Sequence, residues 1–411
     1  MDKIRQEFGS ELNETYKGFN HSYWAFSKHP QTQSLMKITD ADLEQEALTL
    51  CNSGVLRYAG LNHSSEEKEA AVTSDDQQRT MVQGLLEQCM KKDVLLNELY
   101  MYLIKQSTDH PDPNSRVNLR HWSLLTLYCS VIPPTDKSVR KYLRLHLQRC
   151  SIDCVSEEGK YARFAEKCLM KALNNRRRQW PPSKQEILCT INRRPIYARF
   201  HFMDGQFHSL EFDSSATAGD VVELIKQKIG LNEAARGYAI YEMLGTTERC
   251  VSVEEVLADV MSRWERYRRA TAASQHNHHI FLFKKHLLVE SWINLEDPVE
   301  KELLYFQVLY TLRADKFPVT QMEAVMLCAL RAQIELGNYV GVGMDYGEVV
   351  AHTLSPRLLS AVTHDAVAMH HQSLFNMDPQ EAKQAFLNLI KSWPLHKSTI
   401  FDVTVSNQLI F

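Results

Sequence analysis

Apolar residues recur at helical spacing through the first third of the chain, with polar stretches between the apolar ones. The spacing predicts helices over residues 44–56, 82–104 and 119–131. A polar, acidic loop is expected over 62–80, and two prolines within 107–114 mark a break. The first 130 residues are therefore predicted to be all-helical.

An amphipathic helix is predicted directly after Pro133 and Pro134, with Thr135 as its N-cap. Four basic side chains fall at i, i+3, i+4 and i+7 and share one side of this helix: Lys137, Arg140, Lys141 and Arg144. A further helix over 160–173 ends in a basic run, at Arg176, Arg177 and Arg178. This run either extends the basic surface or favours the carbonyl end of its own helix.

After residue 183 the period of the pattern changes from that of a helix to that of a strand. Two alternating runs joined through Asp204 and Gly205 predict a β-hairpin. The elements expected after it are a helix, a strand, a second helix and a further strand, over 217–229, 238–244, 253–267 and 279–288. This order predicts a ubiquitin-like β-grasp lobe.

Helical spacing returns from residue 299 onward. Helices are expected over 303–312, 322–336 and 379–393, and the alternating run at 399–411 predicts one or two strands. The fold class is thus multidomain and mainly α with one α+β lobe.

Composition excludes a largely disordered chain, because 44% of the residues are hydrophobic and 24% are charged. The net charge of −3 is unevenly spread: residues 1–100 hold 16 acids and 10 bases, whereas residues 137–199 hold 16 bases and five acids. The second segment is predicted to attract a polyanionic surface. The alternative is a solvated helix face whose charges are neutralised within the molecule. Nucleic acid is not expected as a partner, because no aromatic residues interleave with the basic surface for base stacking.

No catalytic motif occurs in the sequence. It contains no G-x-x-x-x-G-K-[ST] phosphate loop, no G-x-S-x-G elbow and no H-E-x-x-H pair, so neither enzymatic activity nor a cofactor is expected. His276, His278, His279 and His286 fit a solvated loop better than a metal site, and His370 and His371 are predicted on a helix surface. Nine cysteines without framework spacing favour a reducing compartment, and no membrane span or secretory signal is apparent.

Several segments resemble the myosin tail homology 4 (MyTH4) domain followed by a FERM domain. The helical half carries PQTQSLMKI at 30–38, LLNELY at 95–100, IKQST at 104–108 and WSLLTLYCSVIPP at 122–134. PSKQEI at 182–187 resembles the link into the first FERM lobe. The second and third lobes are represented by YFQ at 305–307, ALRAQIELGNY at 329–339 and WPLHKSTIFDV at 393–403.

The resemblance implies four regions. A MyTH4 helical domain is expected over 20–180, a ubiquitin-like first FERM lobe over 185–290, and an acyl-CoA-binding-protein-like second lobe over 296–393. Residues 394–411 would begin a sandwich-type third lobe that stops after its first strand or two. The sequence therefore looks like a fragment, a short isoform or an incomplete gene model.

The resemblance also implies a non-enzymatic, cytoplasmic adaptor associated with the cytoskeleton at cell projections or the cortex. Its partners would be cargo or adhesion-receptor peptides, and actin would be reached only through a motor outside this chain. In the family the basic surface is associated with microtubule binding. The alternative is a membrane-peripheral scaffold, of the type that combines a pleckstrin-homology domain with these modules, whose basic surface meets anionic lipid.

Overall fold

The computed structural model describes residues 24–61, 75–271, 278–393 and Ser398. The chain divides into two compact units. The first contains residues up to 197 together with 211–218 and 254–275, and the second contains 198–210, 219–253 and the residues from 276 onward. The predicted strands over 399–411 lie outside the described residues.

The first unit is a helical bundle with one continuous apolar core. Its helices are α1 (Ala41–Thr49), α2 (Asp75–Lys91), α3 (Asp93–Gln106), α4 (Arg116–Val131), α5 (Lys137–Ser151), α6 (Glu157–Asn174) and α7 (Lys184–Ile191). A π-helical segment, Leu50–Leu56, continues α1. The predicted break at 107–114 and the helix after Pro134 are both present, whereas α7 was not predicted.

The helix predicted over 82–104 is two helices, so this expectation was wrong. Lys92 adopts an extended conformation between α2 and α3, with φ −134° and ψ 110°. The two helices meet different surroundings: α2 buries one side, whereas every residue of α3 from Leu95 to Gln106 is buried. The expected loop over 62–80 is also too long, because α2 begins at Asp75.

A five-stranded sheet with the order β2-β1-β5-β3-β4 forms the β-grasp lobe. Its strands are β1 (Ile196–His201), β2 (Phe207–Phe212), β3 (Tyr238–Leu244), β4 (Thr247–Cys250) and β5 (Ile280–Lys285). β1 pairs in parallel with β5, and β3 pairs antiparallel with both β5 and β4. Gly205 has φ +84° in the turn between β1 and β2, which confirms the predicted hairpin. The helix α8 (Ala218–Ile229) lies between β2 and β3 along the chain, and α9 (Leu257–Thr271) belongs to the first unit.

The second unit also contains a helical lobe with its own apolar core. Its helices are α10 (Pro298–Arg313), α11 (Gln321–Leu336), α12 (Gly347–Thr353), α13 (Pro356–Leu359), α14 (His364–Ser373) and α15 (Pro379–Lys391). The three predicted helices correspond to α10, α11 and α15, whereas α12 to α14 were not predicted. In the part of the chain that is described, no helix is long and apolar enough to cross a membrane.

His371 is buried, which corrects its predicted place on a helix surface. Its Nδ1 lies 3.0 Å from the Tyr346 hydroxyl and its Nε2 lies 2.8 Å from the Gly337 carbonyl oxygen. Both partners come from the 337–346 segment, which sequence spacing could not bring to α14.

Candidate binding surface

The chain enters α5 through a rigid, capped turn. Pro133 and Pro134 precede the helix, and the Asp136 carboxylate accepts hydrogen bonds from the backbone N–H groups of Ser138 and Val139 at 2.7 and 2.9 Å. Asp136, rather than the predicted Thr135, is therefore the N-cap. The Asn97 side chain in α3 accepts the backbone N–H of both Thr135 and Asp136, which ties the start of α5 to the bundle core.

Three cations share the exposed side of α5. They are Lys137, Lys141 and Arg144, and we call them the α5 basic face. The opposite side of the helix is buried through Val139, Tyr142, Leu143, His146 and Leu147. At ~1.5 Å per residue the three basic positions span roughly 10 Å of the helix axis. Neither Lys137 nor Arg144 forms an ion pair with any residue in the described ranges, so their charges are not neutralised locally.

Arg140 differs from these three residues. Its side chain is half-buried, and its Nε and Nη2 atoms donate to the Pro134 carbonyl oxygen at 3.3 and 3.0 Å. The guanidinium thus folds back on the turn that starts the helix. Arg140 supports the α5 basic face more than it extends it.

Two of the three predicted arginines after α6 are exposed but paired. Arg176 forms an ion pair with Glu254, and Arg177 donates to the Asp93 carboxylate at 2.8 Å and to the Met90 carbonyl at 3.1 Å. Exposed pairs of this kind contribute little to stability, on the order of 0–1 kcal/mol. They do reduce the net positive charge that these arginines offer to a partner.

Arg178 is buried, which corrects its predicted place on the basic surface. Only 5% of its side chain is exposed, and its guanidinium binds the Glu186 carboxylate through two hydrogen bonds of 2.6 and 2.9 Å. Its Nε donates to Asp259 of α9 at 2.9 Å. Burial alone would lower the pKa of Arg178, but the charges and hydrogen bonds of Glu186 and Asp259 outweigh it and raise that pKa. Arg178 therefore joins α7 to α9 within the first unit and cannot reach a partner.

A cavity of about 310 Å³, which no sequence pattern indicates, lies beside the last turns of α5. We call it the α5 cavity. Its walls come from three distant segments: Trp24, then Met101, Ile104 and Thr108, then Tyr142, Leu145, His146, Gln148, Arg149 and Ile152. Because each segment looks like an ordinary helix face, only their packing reveals the space between them.

The groups considered for chemistry among the described residues are metal-ligating side chains and cysteine thiols. No three His, Cys, Asp or Glu side chains within them come together to hold a metal ion, and His276 falls outside the described ranges. Burial raises the pKa of the Cys89, Cys150, Cys168 and Cys328 thiols to about 12, so these thiols stay protonated at neutral pH.

Three family profiles match successive parts of the chain. The MyTH4 domain matches residues 82–189, the RA like domain matches 194–287, and the FERM central domain matches 292–401. The order of these matches is the order of the helical bundle, the β-grasp lobe and the helical lobe. The bounds of the four predicted regions stay predictions.

Proteins with similar sequences include one named as a myosin and one named as a kinesin-like protein. The myosin-I heavy chain of Dictyostelium discoideum is 24% identical over 90% of this chain, and the kinesin-like protein KIN-14I of Oryza sativa subsp. japonica is 24% identical over 92% of it. The matches span only 16% and 31% of those proteins.

Solved structures of similar fold come from myosin VII proteins. The MF1 MyTH4-FERM domain of Dictyostelium discoideum myosin VII has a TM-score of 0.78 and 23% identity, covering 100% of this chain and 83% of that one. The human myosin 7b C-terminal MyTH4-FERM domain, solved in complex with the harmonin-a PDZ3 domain, has a TM-score of 0.73 and 17% identity, with coverages of 95% and 79%. The chain therefore carries a MyTH4 domain followed by an RA-like lobe and a FERM central domain.

Proposed function

We propose that this chain is a non-enzymatic adaptor region that binds protein partners and works in the cytoplasm on the cytoskeleton. Its modules support the proposal, since similar segments occur within proteins named as a myosin and as a kinesin-like protein. A fold of this kind was solved with a PDZ domain bound to it, which supports a protein as the partner class. Cargo or adhesion-receptor peptides are the partners we expect for the FERM lobes.

The α5 basic face is the part of the molecule that we propose to contact an acidic protein surface such as a microtubule. The carrying observation is that Lys137, Lys141 and Arg144 are all exposed along one side of a helix whose other side is fixed in the core. Exposed charges aligned in this way attract an oppositely charged lattice over about one Debye length, ~8 Å at physiological ionic strength.

Co-sedimentation tests this proposal directly. The full chain would be pelleted with microtubules, in parallel with the triple variant Lys137→Glu, Lys141→Glu and Arg144→Glu. We expect the variant to bind at least about tenfold more weakly, and binding of the unaltered chain to fall as salt rises, because the contact is electrostatic.

A control variant carries the same change in net charge at three exposed residues of the second unit, Lys228→Glu, Arg236→Glu and Arg313→Glu. It should pellet like the unaltered chain. Equal microtubule binding by the α5 variant and the unaltered chain would refute the role of the α5 basic face. Pelleting with anionic liposomes but not with microtubules would instead support the membrane scaffold.

A further inference from the structure

The α5 cavity begins where the α5 basic face ends. Gln148 lies four residues after Arg144, on the same side of the helix, and it lines the cavity. Lys137 and Gln148 are 11 residues apart, about 16 Å along the axis at 1.5 Å per residue. A line of positive charge therefore leads directly to an apolar recess.

The accessible apolar surface of the cavity lies at its mouth. Trp24, Met101 and Ile104 close its inner side and are themselves only 1%, 0% and 1% exposed. On the solvent side Ile152 is 80% exposed, and Val155, three residues further on, is 81% exposed. Apolar surface of this kind is stabilised when a partner removes it from water.

The rim of the cavity is positively charged as well. Arg149 lines it with 43% of its side chain exposed, and its Nη2 lies 3.7 Å from the Asp109 carboxylate. Such an exposed and long pair holds the guanidinium weakly, so an incoming carboxylate can share it.

The spacing of the charges favours an extended peptide. Alternate side chains of an extended chain repeat every ~6.6 Å, close to the ~6 Å rise between Lys137 and Lys141 and between Arg144 and the uncharged Gln148; Lys141 and Arg144 are ~4.5 Å apart. Five extended residues cover the ~16 Å from Lys137 to the cavity. One lipid headgroup is compact and would meet only part of this line.

We propose that the α5 surface binds a short extended peptide, with acidic residues along the α5 basic face and one bulky apolar side chain in the α5 cavity. This inference rests on the proposed function, which gives the basic face an acidic protein partner, and adds an apolar anchor to it. The partner is thus an acidic segment that contains a residue such as Leu, Phe or Tyr within it or at its end, instead of a uniform polyanion.

Fluorescence anisotropy with the full chain tests the anchor. The probe is a fluorescein-labelled peptide with four Glu residues followed by Leu, and its control has Ser in place of Leu. We expect the Leu peptide to bind at least about tenfold tighter, because its side chain becomes buried. Ile152→Ser should remove this advantage, while Val253→Ser, which changes an equally branched residue that is 63% exposed elsewhere, should keep it.

The outcomes separate the two proposals. Equal binding of both peptides, unaffected by Ile152→Ser, would overturn the anchor while microtubule binding through the α5 basic face could still hold. If the unaltered chain bound neither peptide and did not pellet with microtubules, the proposed function itself would be overturned. The combined variant Lys141→Glu and Arg144→Glu should weaken both peptides alike.

Other occupants have their own signatures. Binding to phosphoinositide vesicles that Ile152→Ser abolishes, without any preference for the Leu peptide, would assign the cavity to lipid and overturn the peptide. A synthetic peptide of residues 1–22 that displaces the Leu probe and depends on Ile152 would assign it to this chain's own segment. Self-association in the ultracentrifuge that Ile152→Ser abolishes would assign it to a second copy.

Discussion

Acid should destabilise the first unit through two buried histidines, His121 and His146. Their exposed fractions are 0% and 2%. His146 stacks on Trp122 with ring centroids 5.3 Å apart, and its Nε2 lies 2.8 Å from the Ser107 hydroxyl. Neither ring nitrogen of His121 has a hydrogen-bond partner within the described part of the chain. Burial lowers the pKa of both histidines to about 3.

The sign follows from proton binding in the two states. In the unfolded chain each histidine binds a proton below its usual pKa of about 6.5. In the folded unit each histidine stays neutral until the pH nears 3. Stability is therefore complete above pH 6.5 and declines as the pH falls from there toward 3. At ~1.36 kcal/mol per pH unit, each histidine costs about 2 kcal/mol at pH 5, or roughly 4 kcal/mol for the pair.

A single substitution isolates half of this effect. His121→Leu has a similar volume, removes one titrating group and removes two unpartnered nitrogens, so the loss between pH 7.5 and 5.0 should fall to about 2 kcal/mol. The measurement is a urea titration at each pH, followed by hydrogen exchange in the peptides of α4. If the variant loses as much stability as the unaltered chain over this range, the buried histidine is not the cause.

Three further predictions concern residues that hold each unit together. Arg178→Met should destabilise the first unit by about 3–5 kcal/mol, because Glu186 would be left as a buried, unpaired charge. The control Arg177→Met should cost only about 0–1 kcal/mol, because its ion pair is exposed. Urea titration measures the free energy of unfolding of both variants, and equal losses would contradict the argument. Lys285→Met should destabilise the second unit by about 3–5 kcal/mol, since Lys285 and Glu300 pair at 2.5 Å with 0% and 1% of their side chains exposed. Hydrogen exchange should show reduced protection of α10, and unchanged protection would refute the role of this pair. Gly159→Ala should cost on the order of 1–3 kcal/mol of stability, because the new Cβ would lie 1.5 Å from the Asp153 carbonyl oxygen. By contrast, the Cβ of Gly84→Ala meets nothing within 4 Å, so this variant should stabilise its helix by roughly 0.5–1 kcal/mol. Thermal unfolding of both variants checks the contrast.

Elements with a strong local pattern could be predicted from the sequence. The amphipathic α5 begins three residues after the second proline of the Pro-Pro pair, and the Asp204–Gly205 turn joins β1 and β2. Both depend on neighbours in sequence: a helix face repeats every 3.6 residues, and a glycine with positive φ is a property of its own backbone. The same local spacing identified Lys137, Lys141 and Arg144 as neighbours on one side of a helix.

Local spacing could not separate residues that are chemically alike. Arg176, Arg177 and Arg178 are consecutive arginines, yet Arg178 alone is buried, because the carboxylates of Glu186 and of Asp259, 81 residues away, both bind its guanidinium. His371 is likewise predicted on a helix surface but is buried, because the 337–346 segment covers it. Burial of a polar group depends on whether a distant partner can satisfy it, and that partner is invisible to a local pattern.

The sequence by itself determined the order of the modules, the helix that carries the α5 basic face and the charge along it. Only the tertiary structure decided which arginines remain available and that a recess lies at the end of the charged line. Charge and periodicity belong to single segments, so they can be read along the chain. The α5 cavity belongs to none of its three segments, because it is the space that Trp24, α3 and α5 leave between them when they pack.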